Sequence, residues 1–361
     1  MSKFYSLDRI KKVNAQYKIL LGGRNIGKSY ATKHDVVREC FNNGTEFVYL
    51  RRWDEDIKTK NTEPYFADLN VTDITNGNYT SVYVYQSKIY LCNIDDTGKV
   101  TDKYLIGYTH ALNKHERYKS QIFPKVTRII YEEFITNEMY IPDECNKLQN
   151  YVSTIFRERV GVVYMVGNTI SKLCPYFNEW KLDKVLKMKT HDIALFENTT
   201  EVLTNNGVEV VTVIIAVEMC GAQSVLSRMG FGDSANMIVK NKWQNHTVPT
   251  ITNEIYENAD LIYTVFVYCD NLVFRMELLN VNNAIFWYVT PQTKQIKDFD
   301  TSRIVTDKPD IVPLHTYGFC ALSDEERTVF NLIRQNKVFY CSNECGSDFQ
   351  QVLRKYHVLQ M

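Results

Sequence analysis

The sequence predicts an α/β chain: a large domain built on a mostly parallel sheet with helices on both faces, then a smaller α+β domain. Three observations carry this. Over the first half, short apolar runs such as "YKILLGG" (17–23) and "EFVYLRR" (46–52) flank a stretch with Tyr30, His34, Val37 and Phe41 at helical spacing. That is the pattern of a βαβ unit whose parallel strands are buried on both faces. Beyond about residue 200 the pattern changes to alternating, strand-rich segments, which predict a second sheet. The length, 361 residues, also exceeds what a single core usually fills.

The elements follow in order. Gly22 and Gly23 end the first strand in a turn, and Asn42, Asn43 and Gly44 stop the helix that follows. Residues 79–108, with "YTSVYVYQ", "SKIYLCNI" and "DKYLIGY" separated by Asp95, Asp96 and Gly98, predict an antiparallel β insertion. "VTRIIYEEF" (126–134) reads as an apolar strand ending in two carboxylates, "KLQNYVSTIFRER" (147–159) as a helix, and "VGVVYMVGN" (160–168) as another buried strand. "VEVVTVIIAVEM", "LIYTVFVYCDN", "AIFWYVTP" and a helical finish near "DEERTVFNLIRQ" supply the strand-rich part. The polar and glycine breaks in "NTTEVLTNNG" and "RMGFGDS" place a linker at 201–235, between domains at 1–200 and 236–361.

Composition excludes more than it identifies. Forty-two basic residues balance forty-two acidic ones, so bulk charge does not mark a nucleic-acid partner, although local stripes remain open. Hydrophobic residues at 45% and charged residues at 23% exclude a disordered chain. "MSKFYSLDRIKK" lacks the apolar core of a signal peptide and no run approaches about 18 apolar residues, so a cytosolic protein without a membrane span is expected. The nine scattered cysteines suggest thiols in a reducing compartment. Cys341, Cys345 and His357 lack a fourth ligand, so zinc is not expected.

Gly22, Gly23, Arg24, Asn25, Ile26, Gly27, Lys28 and Ser29 match G-x-x-x-x-G-K-[ST] at every fixed position. Glycines let backbone N–H groups curl around phosphates, and a helix N-terminus adds a favourable dipole. In this pattern Lys28 reaches the β and γ phosphates and Ser29 ligates Mg²⁺. The match sits between a predicted strand and a predicted helix, the context the motif requires, so a nucleoside triphosphate site is expected.

Such a site also needs a strand-end acid to organise Mg²⁺ and a group to orient water. "RIIYEEF" offers Glu132 for the metal and Glu133 for the water. Charge on the transferring phosphoryl group calls for a further cation, and Arg157 and Arg159 in "STIFRERV" are the candidates.

In order and spacing, "GGRNIGKSYATK", "EFVYLRRW", "YKSQIFPKVTRIIYEEFI", "STIFRERV" and "VGNTISKLCPYF" resemble the DNA packaging ATPases of phi29-like tailed bacteriophages, over roughly the first 180 residues. The resemblance implies a P-loop ATPase of the class with an additional catalytic glutamate. It further implies a ring, expected to be a pentamer, at the portal of a procapsid in the infected bacterial host's cytoplasm. There it would drive double-stranded DNA inward with ATP and Mg²⁺, with a structural packaging RNA as a possible further partner. It assigns the loop to Gly22–Ser29 with its internal arginine at Arg24, the metal-organising acid to Glu132 and the catalytic glutamate to Glu133. A trans-acting arginine falls on Arg157, with Arg159 the alternative finger, a trans-acting lysine on Lys119, and the residue coupling phosphate state to movement on Asn168. One departure is that the metal-organising position, usually Asp, is Glu132 here.

Related motors carry an RNase H/nuclease-like second domain, and the resemblance implies a vestigial version of it over 236–361 here. Asp260 and Asp270 bracket "LIYTVFVYC" without a third partner, so no DNA cleavage is expected. "WKLDKVLKMK" (180–189) is either a basic DNA contact or a solvated amphipathic helix. The rival functions are a helicase, a cutting terminase large subunit, and a non-enzymatic scaffold that senses ATP at the portal.

Overall fold

The computed structural model describes residues 4–136, 140–182, 184–204, 207–221, 248–269, 272–292, 304–306, 316–317 and 331–355. The chain forms two compact units, Met1–Ile170 with Pro175–Lys242, and Ser171–Cys174 with Trp243–Met361.

The first unit is built on a nine-stranded sheet of order β3-β4-β5-β2-β6-β7-β1-β9-β8. Its strands are β1 (Tyr17–Leu21), β2 (Glu46–Arg51), β3 (Ser81–Tyr85), β4 (Lys88–Ile94), β5 (Val100–Ala111), β6 (Val126–Glu132), β7 (Val162–Val166), β8 (Ile193–Thr204) and β9 (Gly207–Met219). From β5 across to β9 every neighbouring pair is parallel. Antiparallel strands close the two edges.

Helices α1 (Asp8–Lys11), α2 (Lys28–Asn43), α3 (Thr59–Phe66), α4 (Val71–Ile74), α5 (Glu144–Phe156) and α6 (Pro175–Glu179) cover the sheet. Strand alternation distributes them over both faces. Ile130 of β6 joins Val36, Val37 and Cys40 of α2 in one core. The next residue, Tyr131, donates its hydroxyl to Glu144 of α5 and packs on Tyr176 of α6.

Topology positions the site. Strand β7 lies between β1 and β6, so the carboxyl ends of β1 and β6 stand about 10 Å apart, two strand spacings. In parallel sheets ligands bind outside those ends.

The segment 79–108 pairs antiparallel within itself, β3 on β4 and β4 on β5, and because β5 pairs parallel with β2 it forms one edge of this sheet. The expected linker at 201–235 is corrected: β9 is a strand of the first sheet, with Tyr17–Leu21 pairing Ile215–Met219. Ile215, Ala216, Val217 and Met219 are buried there, and this burial draws the strand in. Residues 222–235, including "RMGFGDS", lie outside the described residues.

The second unit has a six-stranded sheet of order β14-β13-β10-β11-β12-β15. Its strands are β10 (Asp260–Cys269), β11 (Leu272–Val281), β12 (Ala284–Pro291), β13 (Ile304–Thr306), β14 (Thr316–Tyr317) and β15 (Val338–Tyr340). β10, β11 and β12 form an antiparallel meander, flanked by parallel β13 and β15. The amphipathic helix Asn343–Lys355 buries Phe349, Val352 and Leu353 in the same core as Phe274 and Trp287. The result is an α+β unit. Among the described residues no helix is long and apolar enough to cross a membrane.

Candidate nucleotide site

Strand β1, buried along its length, runs directly into the glycine loop, and α2 starts at Lys28. Gly27 caps that helix at φ 93°, ψ 13°, a left-handed conformation that strains any side chain. A Cβ there would also lie 3.2 Å from the Phe4 Cβ. The Tyr5 N–H donates to the Ile26 carbonyl at 2.9 Å, and the Tyr5 hydroxyl to Glu218 Oε2 at 2.8 Å. The segment before α1 therefore straps the loop from outside, while Arg24 and Asn25 stay exposed at its tip.

Lys28 is 5% exposed. Its Nζ donates to the carbonyls of Gly22 (3.1 Å) and Gly23 (2.6 Å) and to Asn168 Oδ1 (3.1 Å). Burial lowers its pKa to about 8, against the opposing pull of Cys220 and Glu132. A cation whose hydrogen bonds go only to neutral acceptors in such a loop is poised to exchange them for phosphate oxygens. Asn168 reaches it because β7 ends between β1 and β6. Gly167 permits that exit, since a Cβ there would come within 2.7 Å of the Phe134 ring.

Ser29 Oγ donates to Glu132 Oε2 at 3.1 Å, and the Tyr65 hydroxyl donates to Glu132 Oε1 at 2.8 Å. Burial raises the Glu132 pKa, with the bonds from Tyr65 and Ser29 and the charge of Arg51 opposing. A hydroxyl and a carboxylate side by side at a phosphate loop fit Mg²⁺, which takes oxygen ligands and one or two protein groups, with phosphates and water completing the shell. Among the described residues no group of three or more His, Cys, Asp or Glu could hold a metal.

Glu133 sits at φ 56°, a left-handed conformation uncommon for a glutamate. Its carboxylate accepts from Arg51 Nη2 at 2.6 Å and is 63% exposed. Arg51, at the end of β2, also donates to the Tyr49 hydroxyl (3.3 Å) and approaches Asp56 (3.6 Å). Beneath it the buried Arg52 pairs with Glu144 at 2.8 Å and donates to the carbonyls of Glu133 (3.1 Å) and Phe134 (2.6 Å). Glu144 accepts further from Tyr131 (2.8 Å) and Tyr176 (2.9 Å). The backbone leaving β6 is thus tied down while the Glu133 side chain stays at the surface.

The predicted trans-acting cations come together. Lys119 and Arg157 line one surface concavity of about 400 Å³ with Asn150, Ser153 and Thr154. None of its lining residues belongs to the loop 22–29. The helix predicted over 147–159 instead spans 144–156, and Arg157 caps it at φ 51°, ψ −128°, its N–H closing the last helical turn on the Ser153 carbonyl (2.7 Å). The exposed Arg157 side chain donates only to the Gln121 carbonyl, at 3.2 Å, among the bonds found for it. The Arg159 guanidinium donates to the carbonyls of Phe123, Pro124, Val126 and Ile155, so it is built into the fold.

The basic stretch 180–189 is not one helix. Trp180, Leu182 and Val185 are buried, Val185–Lys187 is a single 3₁₀ turn, and Lys181, Lys184, Lys187 and Lys189 are exposed. Asp260 is exposed at the start of β10, and Asp270 lies outside the described residues. Sequence reasoning missed Arg51, Arg52, Tyr65 and Glu144. The arginine pair closing "EFVYLRR" was the only local signal, and nothing near Tyr65 hinted at its partner.

A family model described as podovirus DNA encapsidation protein (Gp16) matches residues 1–200. The DNA packaging protein of Bacillus phage B103 is 30% identical over 162 residues, 44% of this chain and 46% of the relative. That of Bacillus phage phi29 is 29% identical over 203 residues, 54% and 56%. The chain thus spans about half the length of the curated relatives it matches. Among solved structures, the Phi-28 gp11 DNA packaging motor has a TM-score of 0.51 at 18% identity, covering 100% of this chain and 99% of that one. The bacteriophage Phi-29 viral genome packaging motor assembly has a TM-score of 0.52 at 17% identity, covering 98% and 100%. At these identities the likeness concerns the fold alone.

Proposed function

Because this chain belongs to the podovirus DNA encapsidation protein (Gp16) family, we propose that it is a packaging motor that hydrolyses ATP to move double-stranded DNA through the portal into a procapsid. The observation that carries this reading is the convergence of three strand ends on one loop: Lys28 on Asn168 at 3.1 Å and Ser29 on Glu132 at 3.1 Å. Backbone amides of Gly22–Ser29 and Lys28 bind the triphosphate, and Ser29 and Glu132 hold Mg²⁺. When bound, the ion screens charge on the β and γ phosphates.

Glu133 orients the attacking water once it leaves Arg51. Arg157 and Lys119, set in a concavity apart from their own loop, act on a neighbouring subunit's phosphates. A head-to-tail ring supplies that geometry, and five copies is the expected number. Asn168 senses the γ phosphate, and Ser171–Cys174, three residues further on, fold with the second unit, where Lys172 pairs with Asp348 at 2.8 Å. DNA grip is electrostatic and indifferent to sequence, with Lys181, Lys184, Lys187 and Lys189 as its phosphate contacts. The portal, and a structural RNA where present, are the docking partners, and the motor works in the host cytoplasm at the procapsid vertex.

The test is protection of DNA from nuclease inside procapsids. Wild type is expected to package with ATP, whereas Glu133→Gln should bind ATP and package nothing. Packaging by Glu133→Gln would favour a non-enzymatic scaffold, and strand separation or DNA cutting by wild type would favour a helicase or a cutting terminase.

A further inference from the structure

We propose that Tyr65 is a positioning residue for the metal-organising carboxylate, a role that rests on the nucleotide-site reading above. The phenol hydroxyl donates to Glu132 Oε1 at 2.8 Å while Ser29 Oγ donates to Oε2 at 3.1 Å, so the two donors hold opposite oxygens of one buried carboxylate. A glutamate has three side-chain torsions where an aspartate has two, and Ser29 alone anchors only one edge of it. Without Tyr65 the far oxygen would lose a charge-assisted bond in a buried setting, and the carboxylate would be free to rotate away from the loop.

Three elements aim the hydroxyl. The Tyr65 ring lies 4.5 Å from the Tyr49 ring of β2 and 4.8 Å from that of its α3 neighbour Phe66. From α2, Lys33 sets its ammonium 4.5 Å over the ring, donates to the Tyr65 carbonyl and pairs with Asp68. The helix that begins in the phosphate loop therefore also holds the tyrosine that orients Glu132. This arrangement also accounts for a glutamate at a position that is usually aspartate, because the extra methylene lets one carboxylate reach both donors.

The test uses the full chain with an N-methylanthraniloyl-ATP probe, titrated with Mg²⁺ and, separately, in EDTA. Tyr65→Phe keeps the ring and its packing. It is expected to leave metal-free probe affinity unchanged and to raise the Mg²⁺ midpoint about tenfold, in the range seen for lost outer-sphere partners. The electron spin resonance signal of Mn²⁺ substituted for Mg²⁺ should broaden as the bound ion becomes less ordered. In a Glu132→Asp background the same substitution should change the midpoint less than twofold, because the shorter carboxylate no longer spans both donors. Replacing Tyr65 with 3,5-difluorotyrosine, a stronger donor of the same shape, should lower the midpoint.

A midpoint unchanged in Tyr65→Phe, or a tenfold rise that persists in Glu132→Asp, overturns the proposal, the second result pointing to general loosening of α3. Wild type that binds no nucleotide would instead overturn the function on which the proposal rests.

Discussion

Arg157 and Arg159 stand two residues apart, and their surroundings call for opposite phenotypes. Removing the Arg159 guanidinium breaks bonds to four backbone carbonyls, two of them at 2.7 Å. Bonds to a charged group contribute about 1.5–3 kcal/mol each when shielded. With a discount for the exposure of this residue and for non-additivity, Arg159→Ala should cost about 3 kcal/mol. For a unit of this size that lowers Tm by about 9 °C.

Arg157→Ala loses one bond at 3.2 Å from an exposed side chain. Its effect on stability should be under about 0.5 kcal/mol, a shift of at most about 2 °C. If Arg157 is the finger, however, turnover should fall about 10³-fold or more. Thermal unfolding and phosphate release on procapsids with DNA separate the two. A loss of turnover confined to Arg159→Ala at unchanged Tm, with Arg157→Ala fully active, would refute this assignment.

Three further outcomes follow from buried charge. His110 stacks on Tyr118 (3.8 Å) and pairs with the Tyr151 hydroxyl (2.6 Å), and burial lowers its pKa to about 3. Between pH 6.5 and 3 the unfolded chain binds a proton there that the folded one does not, so stability should fall with pH by up to about 1.4 kcal/mol per unit. His110→Gln should flatten the Tm profile over that window, and an unchanged slope would contradict the assignment. Lys28, near pKa 8 without nucleotide, must take up a proton to bind phosphate. ATP affinity should therefore weaken about tenfold per pH unit above 8, and calorimetry showing constant affinity to pH 9.5 would exclude this. Glu144→Ala leaves Arg52 buried without its counter-charge, which should destabilise by about 3–5 kcal/mol. A Tm within 2 °C of wild type, roughly 1 kcal/mol or less at this size, would show that the pair is dispensable.

What the sequence revealed depended on how local the chemistry is. The loop 22–29 and the acid Glu132 that meets it were legible because each directly follows a buried apolar strand. Strand β9 was assigned to the wrong sheet because alternation reports a strand and not its neighbours. Val208, Val210 and Val211 are exposed, while Ile215 and Val217, in the same run, are buried against β1. The partners of Arg51 and Tyr65 were invisible because they lie 82 and 67 residues away. No propensity separates a tyrosine that donates to Glu132 from one that merely packs. Arg157 was singled out by its neighbours in sequence, but its place just after the helix and its exposure beside Lys119 are tertiary facts.

The most direct measurement is phosphate release by the purified chain with procapsids and double-stranded DNA together, and with each omitted, at matched ATP and Mg²⁺. The expected result is fast release only in the complete mixture, falling to background in Glu133→Gln although that variant still holds nucleotide. Equal release by the dilute chain alone, or undiminished release by Glu133→Gln, would contradict a hydrolytic motor site built on Lys28, Ser29, Glu132 and Glu133 and completed by a neighbour.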